Sequence, residues 1–324
     1  MIFSRDLSSG LHHPRIRKGV FPMFVRMGIP AGGSRRFRFL IVASLLLSSA
    51  LTSQVLKTGY ADIEGRKVYY EEKGEGRALL LIHGFSLDSR MWDDQFDTFA
   101  MQYRVIRYDM SGYGRSSVPD TPISSSTEIA TLLRKLGVDK ATIVGMSLGG
   151  WAAVRFAVDY PQMTEGVITV GASLDGYRFN EPLRGRLASY PRLAKDSGLA
   201  RAKEVWQGDR LLTPVNKSRS VKAKIRQIIS EWSGIQFSKP NLWGFKKSVP
   251  PAIRRLSEIK VPALAIVGER DEPDMHNVAD TLASLIPGGR KVVVSGCGHL
   301  LNFERPDEFN RIVLDFLSRN GKRE

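Results

Sequence analysis

Gly145-Met146-Ser147-Leu148-Gly149 sets a serine between two glycines, where an apolar run ends and a helical pattern begins. The run before it, Ala141-Thr142-Ile143-Val144, is short, β-branched and apolar, and reads as a buried strand. After it, Gly150 to Val158 is rich in helix-tolerant residues and stops before Pro161. A serine pinned on such a turn needs glycines on both sides, because a Cβ there would collide with neighbouring backbone. This is the nucleophile-elbow pattern in the strand–turn–helix context it requires. The plainer reading is a tight glycine turn carrying an incidental serine, so partners must be sought.

A serine hydroxyl is a weak nucleophile near neutral pH and needs a base, which in turn needs an orienting group. The chain has five histidines, and only His276 and His299 follow Ser147. His299 stands in Ser295-Gly296-Cys297-Gly298-His299, directly after Val292-Val293-Val294, hence on a glycine-rich loop leaving a strand. His276 follows Pro273-Asp274-Met275 and opens an amphipathic helical stretch, which suits the surface or a helix end. For the acid, Ala263 to Val267 reads as a strand, with Gly268-Glu269-Arg270-Asp271 as the turn after it. Asp271 is the first choice. Asp175 competes, since it follows the preceding strand-like run Val167 to Val170.

Negative charge developing on a substrate oxygen must be met by preorganised N–H donors. The backbone of Leu148, next after the serine, is one candidate. The other is Phe85, in the turn His83-Gly84-Phe85 after the apolar run Ala78 to Ile82. His83 lies upstream of the elbow and reads as a structural histidine. Met146, Trp206 and Trp243 are candidate pocket residues.

From about Thr58 to Asn320 the chain resembles an α/β-hydrolase of the cap-bearing serine esterase and lactonase type. The resemblance rests on the His83-Gly84-Phe85 turn, Tyr108 to Ser116, the Ser147 elbow, and Gly268 to Asp271 with Gly298-His299. It is similar to the 3-oxoadipate enol-lactonase, arylesterase, cofactor-free haloperoxidase and ring-cleavage C–C hydrolase relatives. The resemblance implies a triad of Ser147, Asp271 and His299, although some hydrolases of this fold draw their acid from the Asp175 position. It weighs against haloalkane dehalogenases and epoxide hydrolases, which carry an aspartate where this chain has Ser147. The Asp109 segment reads as a structural loop.

The elements positioning these residues follow from pattern. Strand-like runs alternate with helical stretches from Ala78 onward, favouring a mainly parallel sheet covered by helices on both faces. The resemblance implies eight strands and an inserted helical cap. Tyr60 to Ile63 and Lys67 to Tyr70 flank Glu64-Gly65, a hairpin at the sheet edge. Residues 58–175 and 261–324 are thus the expected core, and 176–260 the expected cap. In the cap, Val221, Ile225, Ile228, Ile229 and Trp232 fall at helical spacing.

The cap holds 19 Lys and Arg against 6 Asp and Glu, an excess of basic charge that dominates the overall +15. An anionic substrate, or loose contact with an acidic membrane surface through the cap or the N-terminal segment, would suit this; so would a solvated helix face. The pattern of a nucleic-acid module is missing. The single Cys297 excludes an internal disulfide and a multi-cysteine metal site, and reads as packing. No metal and no cofactor is expected.

Residues 1–57 carry nine Lys and Arg and one acid, Asp6. Ser34-Arg35-Arg36-Phe37-Arg38-Phe39 precedes the apolar run Leu40 to Leu47 and then Ser48-Ser49-Ala50. A basic, apolar and small-residue succession reads as an export signal, with periplasmic or membrane-associated placement; a basic tail on a cytoplasmic enzyme is the alternative. Three functions stand on this sequence. The first is a serine hydrolase of small carboxylic esters or lactones acting through an acyl-enzyme. The others are C–C hydrolysis or peracid formation with the same residues, and a non-catalytic ligand-binding protein on the same scaffold.

Overall fold

A computed structural model describes residues 55–216, 218–239 and 249–320. Eight strands form one sheet: β1 Lys57–Ile63, β2 Arg66–Lys73, β3 Ala78–Ile82, β4 Arg104–Tyr108, β5 Ala141–Met146, β6 Thr164–Val170, β7 Ala263–Gly268 and β8 Arg290–Val294. Their order is β1-β2-β4-β3-β5-β6-β7-β8. β1 and β2 pair antiparallel through the expected hairpin, and β2 meets β4 antiparallel. From β4 to β8 every pairing is parallel. At the hairpin tip Glu64 and Gly65 both have positive φ, 53° and 80°, as a tight two-residue turn between right-twisted strands requires.

β3, β5 and β7 are buried along their whole length, which is why each reads as an unbroken apolar run instead of an alternating one. Helices cover the sheet: α1 Asp93–Ala100, α2 Ser125–Lys135, α3 Leu148–Asp159, then α4 Glu181–Ser197, α5 Leu199–Gln207, α6 Arg219–Glu231 and α7 Ile235–Ser238 between β6 and β7. After β7 come α8 Pro273–Leu285, α9 Leu301–Glu304 and α10 Pro306–Asn320. Of the stripe expected in the cap, Ile225, Ile228 and Ile229 are the buried side chains of α6, Trp232 is buried just after it, and Val221 is half-buried.

Order along the sheet reverses at β3. The chain leaves β3 for β4 on one side and returns to β5 on the other. In open parallel sheets such a switch point opens a crevice at the carboxyl ends of the strands. Here it puts the turn after β3 beside the turn after β5, so Phe85 and Ser147 come together from positions far apart in sequence.

The start of α3 is pressed against this crevice. A Cβ on Gly149 would lie 2.3 Å from the Ile82 carbonyl oxygen, and one on Gly145 would lie 2.1 Å from that of Gly149. Neither backbone group can yield without moving a central strand. Gly149→Ala should therefore cost stability at the upper end of the overpacking range, about 3 kcal/mol. Thermal melts of the two chains check this, and an unchanged midpoint contradicts the packing described.

Candidate active site

Ser147 is the residue between β5 and α3, with φ 52° and ψ −107°. A non-glycine residue held there carries roughly 1–3 kcal/mol of backbone strain. Three bonds hold it. Its N–H donates to the Val170 carbonyl at 2.8 Å, and its own carbonyl accepts from Trp151 and Ser173 N–H at 3.1 and 3.2 Å. Leu148 opens α3, so its N–H belongs to the first turn, where donors have no partner within the helix.

Asp271 lies in the turn after β7, its N–H on the Gly268 carbonyl at 3.1 Å. His299 Nδ1 is 2.9 and 3.0 Å from the two carboxylate oxygens of Asp271, and both residues are buried. A carboxylate only accepts, so Nδ1 carries the proton and Nε2 is left as the basic nitrogen. Gly171 makes room for the pair: a Cβ there would sit 2.8 Å from Asp271 Oδ2 and 3.0 Å from His299 Nδ1. Asp175 is engaged elsewhere. Its carboxylate accepts from Ala252 N–H at 3.1 Å and stands 4.0 Å from Arg155 Nη1, while its carbonyl accepts from Ile253 N–H.

Ser147 and His299 line one cavity of about 280 Å³, together with Phe85, Leu148, Met146 and Trp206. Its remaining walls are largely apolar; the Ser173 hydroxyl lies 3.4 Å from the Ser147 carbonyl, and the other polar side chains are bonded within the protein. Trp206 Nε1 donates to Ser86 Oγ at 2.7 Å. Tyr190 donates to Asp209. Gln236 donates to the Gly112 carbonyl at 3.0 Å and accepts from Trp232 Nε1 at 2.7 Å. No Lys, Arg, Asp or Glu is among the described residues lining it. Trp243 lies outside the described residues.

His83 takes no part in this cavity's lining. Its Nδ1 faces the Gly84 carbonyl at 2.8 Å and its Nε2 accepts from Met110 N–H at 3.0 Å, so both ring nitrogens are spent on backbone. Complete burial holds its pKa below the ordinary histidine value. Asp109, also buried, accepts from Ser89 and Arg115 N–H at 2.8 and 2.9 Å, fixing its loop as expected. Burial pushes the Cys297 thiol up to about 12, so it is protonated and inert near neutral pH. His276 sits half-buried in the first turn of α8. Among the described residues no group of His, Cys, Asp and Glu could hold a metal ion.

Sequence reasoning missed Glu304. This buried carboxylate accepts from Gly298 N–H at 2.9 Å through one oxygen, and from Val215 and Asn216 N–H at 2.7 and 3.0 Å through the other. It therefore ties the loop bearing His299 to the insertion between β6 and β7. Nearby, Arg186 of α4 bridges Asp209 at 3.0 Å and Glu272, next after Asp271, at 2.5 Å. No local pattern announces the long-range contacts, since Arg186 and Glu272 are 86 residues apart and Val215 and Glu304 are 89 apart.

The alpha/beta hydrolase family model matches residues 79–312, well over half of the chain. A 2-hydroxy-6-oxononadienedioate/2-hydroxy-6-oxononatrienedioate hydrolase of Burkholderia vietnamiensis is 30% identical over 263 residues, covering 78% of this chain and 91% of that enzyme. The carboxylesterase YbfK of Bacillus subtilis is 29% identical over 74% of this chain and 80% of its own. The solved bromoperoxidase of Bacillus anthracis superposes with a TM-score of 0.68 at 26% identity, over 81% of this chain and 100% of its own. The chain belongs to the alpha/beta hydrolase family.

The export expectation is corrected by the same comparisons. The Burkholderia enzyme is accounted for over 91% of its length by 78% of this chain, so the relatives lend the basic and apolar N-terminal stretch no support as a leader. No described helix is long and apolar enough to cross a membrane. The Ser34 to Ala50 pattern itself lies outside the described residues. Seven apolar residues and one serine after a basic cluster are a short and undemanding pattern, which explains how it misled.

Glu304 generates a testable expectation. Removing a buried acceptor strands its donors at roughly 1–3 kcal/mol each. Glu304→Ala should lose about 3 kcal/mol of stability and lower kcat more than it raises KM. Glu304→Gln, which keeps one acceptor oxygen, should fall between. Melts and steady-state kinetics on one activated ester check both, and an alanine variant with unaltered kcat removes Glu304 from the site's support.

Proposed function

We propose that this chain is a serine hydrolase that cleaves an uncharged-acyl carboxylic ester or lactone through an acyl-enzyme. The observation carrying the reading is the strained Ser147 opening on the same apolar cavity as His299, whose Nδ1 is bonded to Asp271. Ser147 Oγ attacks the carbonyl carbon while its proton passes to His299 Nε2. The backbone N–H groups of Leu148 and Phe85 meet the oxyanion, each worth roughly 2.7–4 kcal/mol in such sites. Collapse of the tetrahedral adduct expels the alkoxide, which takes the proton from the imidazolium. Water then repeats the cycle on the acyl-enzyme, returning the acid and free Ser147. Asp271 remains ionised and holds the tautomer throughout.

Ester chemistry is preferred over C–C cleavage because an alkoxide leaves by protonation at oxygen, which one histidine can supply. A carbanion requires further polar groups to stabilise it, and the cavity's polar atoms are already bonded within the protein. C–C cleavage is kept as the second reading because the Burkholderia relative is named for a 6-oxo dienoate-type substrate. A binding protein without turnover would have no need of the strained serine.

A panel of 4-nitrophenyl esters of rising chain length, simple lactones and a 2-hydroxy-6-oxodienoate distinguishes these readings. Ester turnover with dienoate untouched is expected; the reverse overturns the choice. A fluorophosphonate probe should label Ser147, and Ser147→Ala should fold, escape labelling and lose turnover.

The acid is tested by exchange. Asparagine keeps the shape of Asp271 but can hold the wrong tautomer, so Asp271→Asn should slow turnover by about 10⁴, as in the best-studied serine protease. Asp175→Asn should change it far less. If Asp175→Asn is the inactive chain instead, the assignment of the acid fails.

A further inference from the structure

The reaction cavity has a neighbour of opposite character. A second cavity of about 340 Å³ shares His299 and Leu211 with the first, but is lined by Arg210, Lys222 and Arg270 beside Asp271 and Glu272. A smaller cavity of about 150 Å³ shares Lys222, Thr213 and Pro214 with it and adds Arg226. The two carboxylates are committed: Asp271 to His299, and Glu272 to Arg186 at 2.5 Å and Arg210 at 3.6 Å. Lys222, Arg226 and Arg270 have no ion-pair partner among the described residues.

One basic helix face does not account for this arrangement, because the cations lining the 340 Å³ cavity come from separate elements: Arg210 before α6, Lys222 on α6 and Arg270 after β7. Lys224, also on α6, pairs with Asp93 and Asp94 at 3.2 and 3.6 Å. Lys222 and Arg226, four apart on the same helix, repel one another and face a cavity instead. Lys222 is half-buried, so its charge is only partly screened by water, whereas Arg210, Arg226 and Arg270 are exposed and act from the rim.

In ester hydrolysis the acyl half stays on Ser147 while the alcohol half departs past His299, which protonates it. We infer that the apolar cavity takes the acyl chain, and that the cationic cavity beyond His299 takes an alcohol portion bearing an anionic group. The inference rests on the serine-hydrolase reading above. It makes the substrate an amphiphile, apolar on one side of the scissile bond and negatively charged on the other. Lys222 and Arg270 are the specificity residues.

Three esters test it: 4-nitrophenyl hexanoate, 3-carboxy-4-nitrophenyl hexanoate, and mono-4-nitrophenyl adipate, whose charge is on the acyl side. With rates corrected for hydroxide reactivity, the carboxy-nitrophenyl ester should exceed the neutral hexanoate by about tenfold in kcat/KM at low salt. The ratio should fall towards one at about 0.5 M salt. It should also fall in Lys222→Gln/Arg270→Gln and, by less, in Arg270→Gln alone, with folding checked by melts. The adipate should be poorer than the hexanoate. Turnover of the hexanoate with no preference for the anionic alcohol, a preference retained in the double variant, or a preferred adipate overturns the inference alone. Turnover of none of the three overturns the serine-hydrolase reading, and this inference with it.

Discussion

Everything in the candidate site depends on one constraint: a serine held at a positive φ at the end of a central strand. Residue types around it are chosen by distance. A Cβ on Gly145 or Gly149 would lie 2.1 or 2.3 Å from a backbone oxygen, and one on Gly150 would meet Ala172 Cβ at 2.5 Å. The strain is sustained because β5 is buried on both faces and paired on both sides, so the strand cannot relax towards solvent. Local strain is over-determined by tertiary packing, as persistence of such a conformation demands. The result is a hydroxyl presented at the switch point of the sheet, beside the turn that follows β3.

The second half of the site is assembled from the chain's other end, and there the insertion between β6 and β7 matters. Asp271 and His299 leave adjacent strands, so the sheet alone brings them close. The rest is done by buried charge. Glu304 holds the His299 loop to Val215 and Asn216, and Arg186 holds α4 to Glu272. The helical roof is therefore fastened to the two loops that carry Asp271 and His299. A shift of that roof reaches the imidazole through a few hydrogen bonds.

How much of this was legible depends on how local each signal is. The elbow at Ser147 could be read because its strand, turn and helix occupy one short segment, and the sheet's parallel character because buried strands show unbroken apolar runs. Asp271 was the first choice and Asp175 its competitor, since each follows a β-strand. Their tertiary partners differ, with His299 for one and Ala252 and Arg155 for the other. Glu304 and Gly171 were silent because their partners are remote in sequence. An acidic residue near the C-terminus is ordinarily solvated, and nothing nearby marks this one as buried. The N-terminal pattern failed in the opposite way, because its composition is easily met by stretches that export nothing.

The apolar roof also bears on electrostatics at Ser147. In a cavity without fixed charge, a developing oxyanion interacts with its N–H donors through a low effective dielectric, where each is worth more than in water. That advantage survives only if the walls do not compete. Trp206, Trp232, Gln236 and Tyr190 bring donors into the roof, yet each is bonded within the protein, to Ser86, Gln236, Gly112 and Asp209. The polar atoms of the aromatic lining are thus spent on holding it in place. What is left facing the cavity is a largely apolar surface with the Ser173 hydroxyl, a serine that cannot relax, and a histidine held by Asp271. Lys222 and Arg270 line a separate cavity that shares His299 and Leu211 with the apolar one, so their charge lies outside it.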